Sequence, residues 1–339
     1  MDPDYQLEIE ARISLNATPV AVEALTLDAP RQLIATVLSE SCSVMFFHPG
    51  NPNPTHQIRV ADDPIDIAGG GRGRAYVACR EAMSVDVLSS DGIIKRINLP
   101  GRPHGIAWNG SFVRSKQKIL VTCELPDREL GAICVIDEGS LAISNVLPVG
   151  RQPRGINLYW HRKQFLVANY GDHSISIVDQ SGHKALATLP TAGRPLGVDV
   201  SWSDPRDIVI SLDAGGVLQR MDASHFPPAL SGLTALKRST RPLTSLSPAC
   251  CLPIGEDNLW IATDRHSGSL ALLLSRGREF KQIQCYQIED SKHEEQGLGQ
   301  IAIATPGLSG RYYIANRKRK QLLLARMRRN KPLAAPLRR

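Results

Sequence analysis

Two polar side chains, His104 and Arg154, occupy the same position in a short segment that recurs along the chain. The segment is Pro-His-Gly-Ile at 103–106 and Pro-Arg-Gly-Ile at 153–156. A histidine can act as a general base, and an arginine can stabilise an oxyanion that develops during a reaction. The sequence therefore offers His104 as the base and Arg154 as the oxyanion group, if the protein is an enzyme.

The other residue types that bind metals or cofactors are not spaced for that purpose. The nine histidines and seven cysteines include no His-x-His, His-Glu-x-x-His or Cys-x-x-Cys spacing, and such spacings are typical of zinc sites. No Gly-x-Gly-x-x-Gly or Gly-x-x-x-x-Gly-Lys-Ser/Thr phosphate loop occurs either. We therefore predict no metal and no cofactor, and we interpret the cysteines as small buried residues with reduced thiols.

The recurring segment belongs to a repeat that covers most of the chain. A third copy begins at Pro195, and looser copies begin at Pro19 and Pro64. About 15 residues after each copy, two alternating apolar stretches flank a tight polar turn, most clearly at 167–179, and this pattern predicts a β-hairpin. The third hairpin position forms a series with intervals of 42–53 residues: Thr36, Cys79, Cys123, Asn169, Ser211, Thr263 and Asn316. Seven units of four short strands predict an all-β fold, a seven-bladed β-propeller.

The first strand of the chain is predicted to complete the last blade. The seventh unit has its hairpin at 312–326, and the basic segment that follows does not alternate as a strand would. Residues 6–15 alternate cleanly and precede the first unit. Pairing them with the last hairpin closes the ring and removes its open edges. We therefore predict one propeller domain at 1–326, closed by its N-terminal strand, and a basic C-terminal extension at 327–339.

These repeats resemble the YVTN-type seven-bladed β-propeller family. The resemblance is carried by 103–107, 153–156 and 167–179, and by a Gly-x-Pro-x-Gly junction at 193–197. It implies the fold but no single activity, because such propellers include lactonases, a streptogramin-type lyase, cofactor-handling proteins and binding platforms. Their ligands bind at the central channel or on the faces. The residues expected at the channel follow the prolines: Val20, Ile65, His104, Arg154 and Leu196.

Positive charge is concentrated near the C-terminal end of the chain. The protein has 40 Lys/Arg and 33 Asp/Glu, and residues 311–339 hold eleven of the basic residues and none of the acidic ones. The remaining 310 residues therefore have a net charge of −4. We predict that this end carries any electrostatic binding. The candidate binding residues are Arg317, Lys318, Arg319, Lys320, Arg326, Arg328, Arg329 and Lys331.

Three functional hypotheses follow. The leading one is a non-enzymatic interaction platform, a scaffold subunit that binds a partner protein in a larger complex through the lengthened 223–249 link and the basic end. The alternative is a small-molecule enzyme of lactonase or lyase type that uses His104 and Arg154 at the channel mouth. The third is electrostatic binding of nucleic acid by the basic tail. Because the chain has no apolar run of membrane-spanning length and no export signal, we predict a cytoplasmic protein.

Overall fold

The protein is built from seven antiparallel four-stranded sheets that are arranged as the blades of a ring. The computed structural model describes residues 5–28, 31–111, 113, 116–126, 130–200, 207–213, 217–222, 228–235, 237–238, 241–242, 250–254, 257–263, 269–276, 279–287, 298–304 and 311–329. The described residues contain no α-helix; 3-10 turns occur at Trp160–Arg162 and Tyr170–Asp172, and Lys116 is also in 3-10 conformation. The prediction of an all-β seven-bladed propeller is confirmed.

Each blade runs from an inner strand at the central channel to an outer strand, and the strands of blades 1 to 6 are consecutive in the chain. Blades 1 to 3 contain β2–β5 (Pro19–Asp28, Arg31–Leu38, Ser43–Phe47, Pro54–Arg59), β6–β9 (Pro64–Gly69, Ala75–Cys79, Ser84–Ser89, Gly92–Asn98) and β10–β13 (Arg102–Trp108, Lys118–Glu124, Gly131–Asp137, Ala142–Val149). Blades 4 and 5 contain β14–β17 (Pro153–Tyr159, Gln164–Asn169, Ser174–Asp179, Ala185–Pro190) and β18–β21 (Pro195–Val200, Asp207–Leu212, Val217–Asp222, Ala229–Ala235). Blade 6 contains β24–β27 (Cys250–Ile254, Asp257–Thr263, Ser269–Arg276, Glu279–Gln287). Blade 7 contains β28–β30 (Leu298–Ala304, Arg311–Asn316, Gln321–Arg329) and β1 (Tyr5–Ser14).

The ring is closed by β1, as predicted from the alternation of residues 6–15. This strand pairs antiparallel with β30 in a register that runs from Tyr5 opposite Arg329 to Ser14 opposite Gln321. The pairing corrects one expectation, because β30 ends at Arg329, three residues past the predicted end of the propeller at 326. Met327 is buried against the last two blades, so the residue packs as part of the sheet. Residues 330–339 lie outside the described residues.

The 223–249 segment also differs from its interpretation as a link between units 5 and 6. Within it, Ala229–Ala235 forms β21, the outer strand of blade 5. Two further short strands, β22 (Lys237–Arg238) and β23 (Arg241–Pro242), pair as a small ribbon. Part of the 223–249 segment is therefore a strand of blade 5 and not a link between blades. Residues 223–227, 236, 239–240 and 243–249 lie outside the described residues.

The core lies in layers between neighbouring blades. All five residues of β7 and the first five of β8 are buried, whereas the outer strand β9 is mostly exposed. The largest buried side chains, among them Tyr76, Phe46 and Trp260, come from such middle strands. Burial of apolar surface stabilises a fold by roughly 25 cal/mol per Å². This stabilisation is concentrated at the contacts between blades, and it holds the inner strands around the channel in fixed positions.

Strand pairing shows that two members of the hairpin series, Thr36 and Ser211, do not occupy the same position as the members in blades 2 to 4. In blades 2 to 4, the proline of the inner strand lies opposite Cys79, Cys123 and Asn169. In blades 1 and 5 the partners of the corresponding prolines are Leu38 and Leu212, and not Thr36 and Ser211. Leucine fills the same buried place as cysteine or asparagine. In blades 1 to 5, the position opposite the proline is therefore a packing position, and it does not form a ring of polar groups there.

Candidate functional site at the channel mouth

Each inner strand of blades 1 to 5 has a β-bulge directly after its proline. The pairing with the second strand shifts there by at least one residue, for example between Pro103 and Ile106 and between Pro153 and Ile156. A bulge leaves a residue unpaired and can redirect its side chain. The half-buried residues at the bulges are Val20, Ile65, His104, Arg154 and Leu196. These are the five residues that the sequence analysis expected at the channel, and we call this end of the channel the channel mouth.

The glycine of the Pro-x-Gly segment is required because neighbouring inner strands approach closely. A Cβ atom at Gly105 would lie 2.5 Å from the carbonyl oxygen of Arg154, and one at Gly155 would lie 2.8 Å from the Cα of Gly197. The Thr122 hydroxyl joins the first pair of strands. It accepts a hydrogen bond from the Gly105 N–H (2.8 Å) and lies 2.8 Å from the Arg154 carbonyl, to which it donates. This close contact between blades 3 and 4 brings His104 and Arg154 together.

The two residues are in direct contact and share a third partner. Nη1 of Arg154 lies 2.9 Å from Nδ1 of His104, and Nε2 of His104 lies 3.2 Å from Oε2 of Glu124. The side chains of His104 and Glu124 are only 8% and 16% exposed. Because a guanidinium can only donate hydrogen bonds, Nδ1 must accept. The imidazole proton is therefore on Nε2, which donates to Glu124.

The surroundings of His104 keep its ring neutral. Burial, and then the charge of Arg154, lower the pKa of His104 from its ordinary value of 6.5 to about 4, while Glu124 acts in the opposite direction. Burial is also the main factor that lowers the pKa of Arg154. Near neutral pH the site therefore contains an imidazole with a lone pair on Nδ1. A neutral imidazole is the form that can accept a proton.

A second ring of polar residues lies beside the bulges, one position after the end of the second strand of each blade. Its backbone is held by hydrogen bonds to the segment before the inner strand, for example from Arg80 N–H to the Asp63 carbonyl (2.8 Å) and from Asp213 N–H to the Arg194 carbonyl (2.7 Å). Its described members in blades 1, 2, 4, 5 and 7 are Ser39, Arg80, Tyr170, Asp213 and Arg317. In blade 3 the corresponding residue is Glu124, which is the last residue of β11.

Tyr170 fixes the position of Arg154 from the other side. The guanidinium carbons of Arg154 and Arg194 each lie 5.4 Å from the centre of the Tyr170 ring, within the range of a cation–π contact. The Tyr170 hydroxyl donates a 2.6 Å hydrogen bond to Asp213. Arg154 is thus held between a tyrosine face and the imidazole of His104. The sequence prediction missed Glu124, Tyr170 and Asp213; the only signal was their place next to the hairpin series.

Arg317 connects this site with the predicted basic turn. It occupies the same ring position in blade 7 and is half-buried. Burial, and then the charge of Arg80, lower the pKa of Arg317. Lys318 and Arg319 follow in the turn, where the Arg319 N–H donates to Asn316 (3.2 Å). The structure therefore places one residue of the predicted basic set, Arg317, at the ring position of blade 7, where the charge of Arg80 acts on it.

The other predicted basic residues are distributed differently. Lys320 forms an ion pair with Glu40 (2.7 Å), and Arg328 forms one with Glu8 (2.8 Å). Arg326 lies 3.8 Å from Glu10. Arg329 ends β30, and Lys331 lies outside the described residues. These three ion pairs on the protein's own surface reduce the positive charge available to a partner.

Acidic side chains lie deeper in the channel. Asp66 takes the place of the glycine in its Pro-x-Gly segment, and its Oδ2 accepts a 3.1 Å hydrogen bond from the Ile106 N–H of the next blade. Asp199 accepts from Asn157 (2.9 Å), and burial raises its pKa to about 7. Burial, and then the charges of Asp66 and Asp199, raise the pKa of Glu23 to about 8. The channel thus has cations at its mouth and carboxyl groups below.

The described residues contain neither a metal-binding cluster nor a membrane-spanning helix. Within the ranges given above, no three histidine, cysteine, aspartate or glutamate residues are arranged to hold a metal ion. The same part of the chain contains no helix that is long and apolar enough to cross a membrane.

Comparison with known proteins identifies the fold. No family model matches the chain, and no curated protein matches it by sequence. Among solved structures, the hydrazine synthase of Kuenenia stuttgartiensis is similar with a TM-score of 0.73 and 15% identity, over 93% of this chain and 97% of that one. A streptogramin B lyase is similar with a TM-score of 0.65 and 12% identity, over 96% and 98%. At these identities the similarity shows a propeller fold, so the YVTN resemblance is confirmed at the level of the fold.

Proposed function

We propose that the protein is a small-molecule enzyme of lyase or lactonase type that works at the channel mouth. The observation that supports this most is the neutral imidazole of His104, held between Glu124 and Arg154 in a half-buried site. The streptogramin B lyase among the similar structures fits an enzyme on this fold, although fold likeness by itself selects no activity.

The geometry couples the release of the base to the binding of the reacting oxygen. In the free protein, Arg154 occupies the lone pair on Nδ1 of His104. When a substrate oxygen accepts the hydrogen bond of Arg154, Nδ1 is released and can take a proton. Glu124 accepts from Nε2–H and stabilises the imidazolium that forms, as a carboxylate does beside other catalytic histidines.

Two reactions are compatible with these roles. In a lyase reaction, Nδ1 removes a proton from carbon, the electron pair forms a C=C bond, and the C–O bond to the leaving group breaks. In lactone hydrolysis, Nδ1 takes a proton from water, whose oxygen attacks the carbonyl, and the ring oxygen leaves with that proton. Arg154 would hold the leaving oxygen in the first case and the tetrahedral oxyanion in the second.

The proposal is tested by turnover of streptogramin B and of a panel of lactones with His104→Asn and Arg154→Gln variants. Removing a general base lowers the rate by about 10²–10⁴-fold, so we expect at least a 10²-fold loss of kcat for His104→Asn with the fold intact. The exposed His183 provides a matched control, and His183→Asn is expected to keep the wild-type rate. Turnover that survives in His104→Asn would exclude this residue as the base.

The interaction platform is a second proposal, favoured by an apolar stretch on the outer strand of blade 2. Ile93 and Ile94 of β9 are 42% and 45% exposed, and an outer strand has an open edge that another chain can pair with. Affinity capture with the wild-type protein and an Ile93→Lys/Ile94→Lys variant, with and without nuclease, tests it. A stoichiometric, nuclease-resistant partner that only the wild type retains would support the platform; equal capture by both would contradict it.

A further inference from the structure

Two cysteines of blade 3 lie in contact inside the core. Sγ of Cys123 lies 3.5 Å from Sγ of Cys134, and both residues are fully buried. Cys123 belongs to β11 and Cys134 to β12. They are diagonal neighbours on one face of this strand pair, because Cys134 lies directly opposite Val121. The proposed reaction uses neither thiol, although two thiols in contact can be joined as a disulfide.

The position of Cys123 links this pair to the channel mouth. Its neighbours along β11 are Thr122, whose hydroxyl joins the inner strands of blades 3 and 4, and Glu124, which accepts from His104. Cys123 itself lies opposite Pro103, the residue before His104. A displacement of the Cys123 backbone therefore moves both groups that hold the site.

The partner strand β12 is also packed against the site. A Cβ atom at Gly131, its first residue, would lie 2.3 Å from Cδ of Pro153 and 2.4 Å from the Gly150 carbonyl oxygen. Pro153 directly precedes Arg154 in the inner strand of blade 4. A movement of β12 is therefore transmitted to the strand that carries Arg154. Whichever of the two strands moves, the arrangement of the mouth changes.

A disulfide between the two cysteines requires such a movement. The sulfur atoms are 3.5 Å apart and must come closer to bond. Diagonal neighbours of an antiparallel pair are roughly 7–8 Å apart, whereas the Cα atoms of a disulfide are usually about 4.4–6.8 Å apart. The strands must therefore draw together locally, which strains the sheet. Strained disulfides are reduced more easily than relaxed ones, so the change is reversible.

Burial determines how fast the pair can react. The hydrogen bond to Cys134, and then burial, raise the pKa of the Cys123 thiol well above its ordinary value. The thiolate is the form that attacks an oxidant, so the reaction is slow. It also needs an oxidant small enough to enter the core, such as hydrogen peroxide. The pair therefore responds to sustained oxidation and not to a brief exposure.

We propose that Cys123 and Cys134 are a redox modification site, at which hydrogen peroxide produces a disulfide that disturbs the channel mouth. Peroxide oxidises one thiol to a sulfenic acid, its O–O bond breaks and one water leaves. The second thiol attacks that sulfur, an S–S bond forms and a second water leaves. Both sulfurs are oxidised and both peroxide oxygens are reduced. The effect on turnover rests on the proposed function, whereas formation of the disulfide does not.

The test is peptide mapping of the full-length protein after incubation with hydrogen peroxide. Trypsin cleaves after Arg128, which lies between the two cysteines, so the disulfide joins two peptides that separate on reduction. We expect mass spectrometry to detect the joined peptides in the wild type. Neither Cys123→Ala nor Cys134→Ala should form them.

Cys79→Ala is the matched control and should form the joined peptides as the wild type does. Cys79 is buried and lies opposite the proline of blade 2, as Cys123 does in blade 3. Its diagonal neighbour on the next strand is Asp86 and not a second thiol.

A second measurement follows the site itself. Oxidation of the wild type should shift the His104 ring signal in the NMR spectrum. It should also lower turnover by about 10²-fold, since a misplacement of about 1 Å can have that effect on a catalysed rate. A thiol reductant should restore both.

The outcomes separate this inference from the proposed function. Wild type that forms no joined peptides, or Cys134→Ala that responds to peroxide as the wild type does, would overturn the inference. Joined peptides and a shifted His104 signal without any turnover of the substrate panel would leave the redox site and remove the enzyme. Turnover that persists unchanged in the cross-linked protein would leave the enzyme and remove its regulation.

Discussion

Arg154 donates a 2.9 Å hydrogen bond to Nδ1 of His104 from a position 50 residues further along the chain. The two side chains follow the prolines of neighbouring inner strands, so a single repeat length separates them in sequence and a single blade contact joins them in space. Because Arg154 donates to Nδ1, the proton of the neutral imidazole is on Nε2. The lone pair on Nδ1 is available to a substrate only when Arg154 no longer binds it. Any ligand that takes Arg154 away therefore changes the chemistry of His104.

The neutral state of His104 is the first testable prediction. With a pKa of about 4, its ring should stay neutral at pH 5.5, where a histidine with the ordinary pKa of about 6.5 is largely protonated. Because the pKa is lower in the folded than in the unfolded protein, His104 contributes stability above pH 6.5, and this contribution is lost as the pH falls toward 4.

NMR of 13C-labelled histidine rings measures this titration residue by residue. The charge of Arg154 lowers the pKa of His104, so Arg154→Gln should shift the titration to higher pH. A His104 ring that titrates near 6.5 in the wild type would contradict the described environment.

Glu23 gives a second pH effect with the opposite sign. Its pKa is raised from 4.5 to about 8 in the folded protein, so the folded state retains a proton that the unfolded state loses. Stability is therefore fully present below about pH 4.5 and falls as the pH rises toward 8, by at most about 1.4 kcal/mol per pH unit. In denaturant titrations, Glu23→Gln should flatten this slope, whereas Glu81→Gln, at an exposed site, should leave it unchanged.

The Pro-x-Gly glycines are predicted to be intolerant of even one methyl group. In Gly105→Ala the new Cβ would meet the Arg154 carbonyl at 2.5 Å, and a backbone atom can move only if its strand moves. We expect a loss of about 1–3 kcal/mol in the free energy of unfolding. Gly193→Ala is the control, since its nearest atom would lie at 3.6 Å and its effect should stay within about 0.5 kcal/mol. Equal stability of the two variants would show that blades 3 and 4 can shift apart enough to accommodate the methyl group at position 105.

Packing of the first strand against the last two blades is tested at Leu7. This residue is 7% exposed and packs near Ile261 and Tyr312. Loss of a buried leucine side chain costs about 2–5 kcal/mol, which Leu7→Ala should show in thermal and denaturant unfolding. The neighbouring Gln6 is exposed, and Gln6→Ala should have no measurable effect. A stable Leu7→Ala protein would mean that β1 contributes little to closure.

The fold could be predicted from the sequence because its steric requirement repeats. Close contact between inner strands requires glycine at Gly105 and Gly155, so the same residue type recurs at the same place in the repeat. The sequence analysis placed Thr36 and Ser211 at the shared hairpin position of their blades. This assignment was wrong, because the residues that pair with Pro19 and Pro195 are Leu38 and Leu212. A bulge adds a residue to one strand only, and the spacing of residue types along the sequence does not show which strand contains the extra residue.

The site could be predicted only in part, for a related reason. His104 and Arg154 were found because they follow a repeated proline. Glu124, Tyr170 and Asp213 share a place in the blades but not a residue type, so no repeat marks them. They become a set only when blades 3, 4 and 5 pack side by side. Arg317 is another such residue, because the charge of Arg80, which lowers the pKa of Arg317 after burial, acts on it only in the folded ring.

The pairing of β1 with β30 also determines when the ring can close during synthesis. Among the described strands, Tyr5–Ser14 is translated first and Gln321–Arg329 last. The first strand therefore stays unpaired on the ribosome-bound chain until β30 has been made, although domains in general fold as units as they are made. A chain that terminates before β30 is left with an unpaired strand, whose exposed edge and apolar side chains chaperones and proteases can recognise. Closure of the ring thus distinguishes chains that contain β30 from chains that lack it.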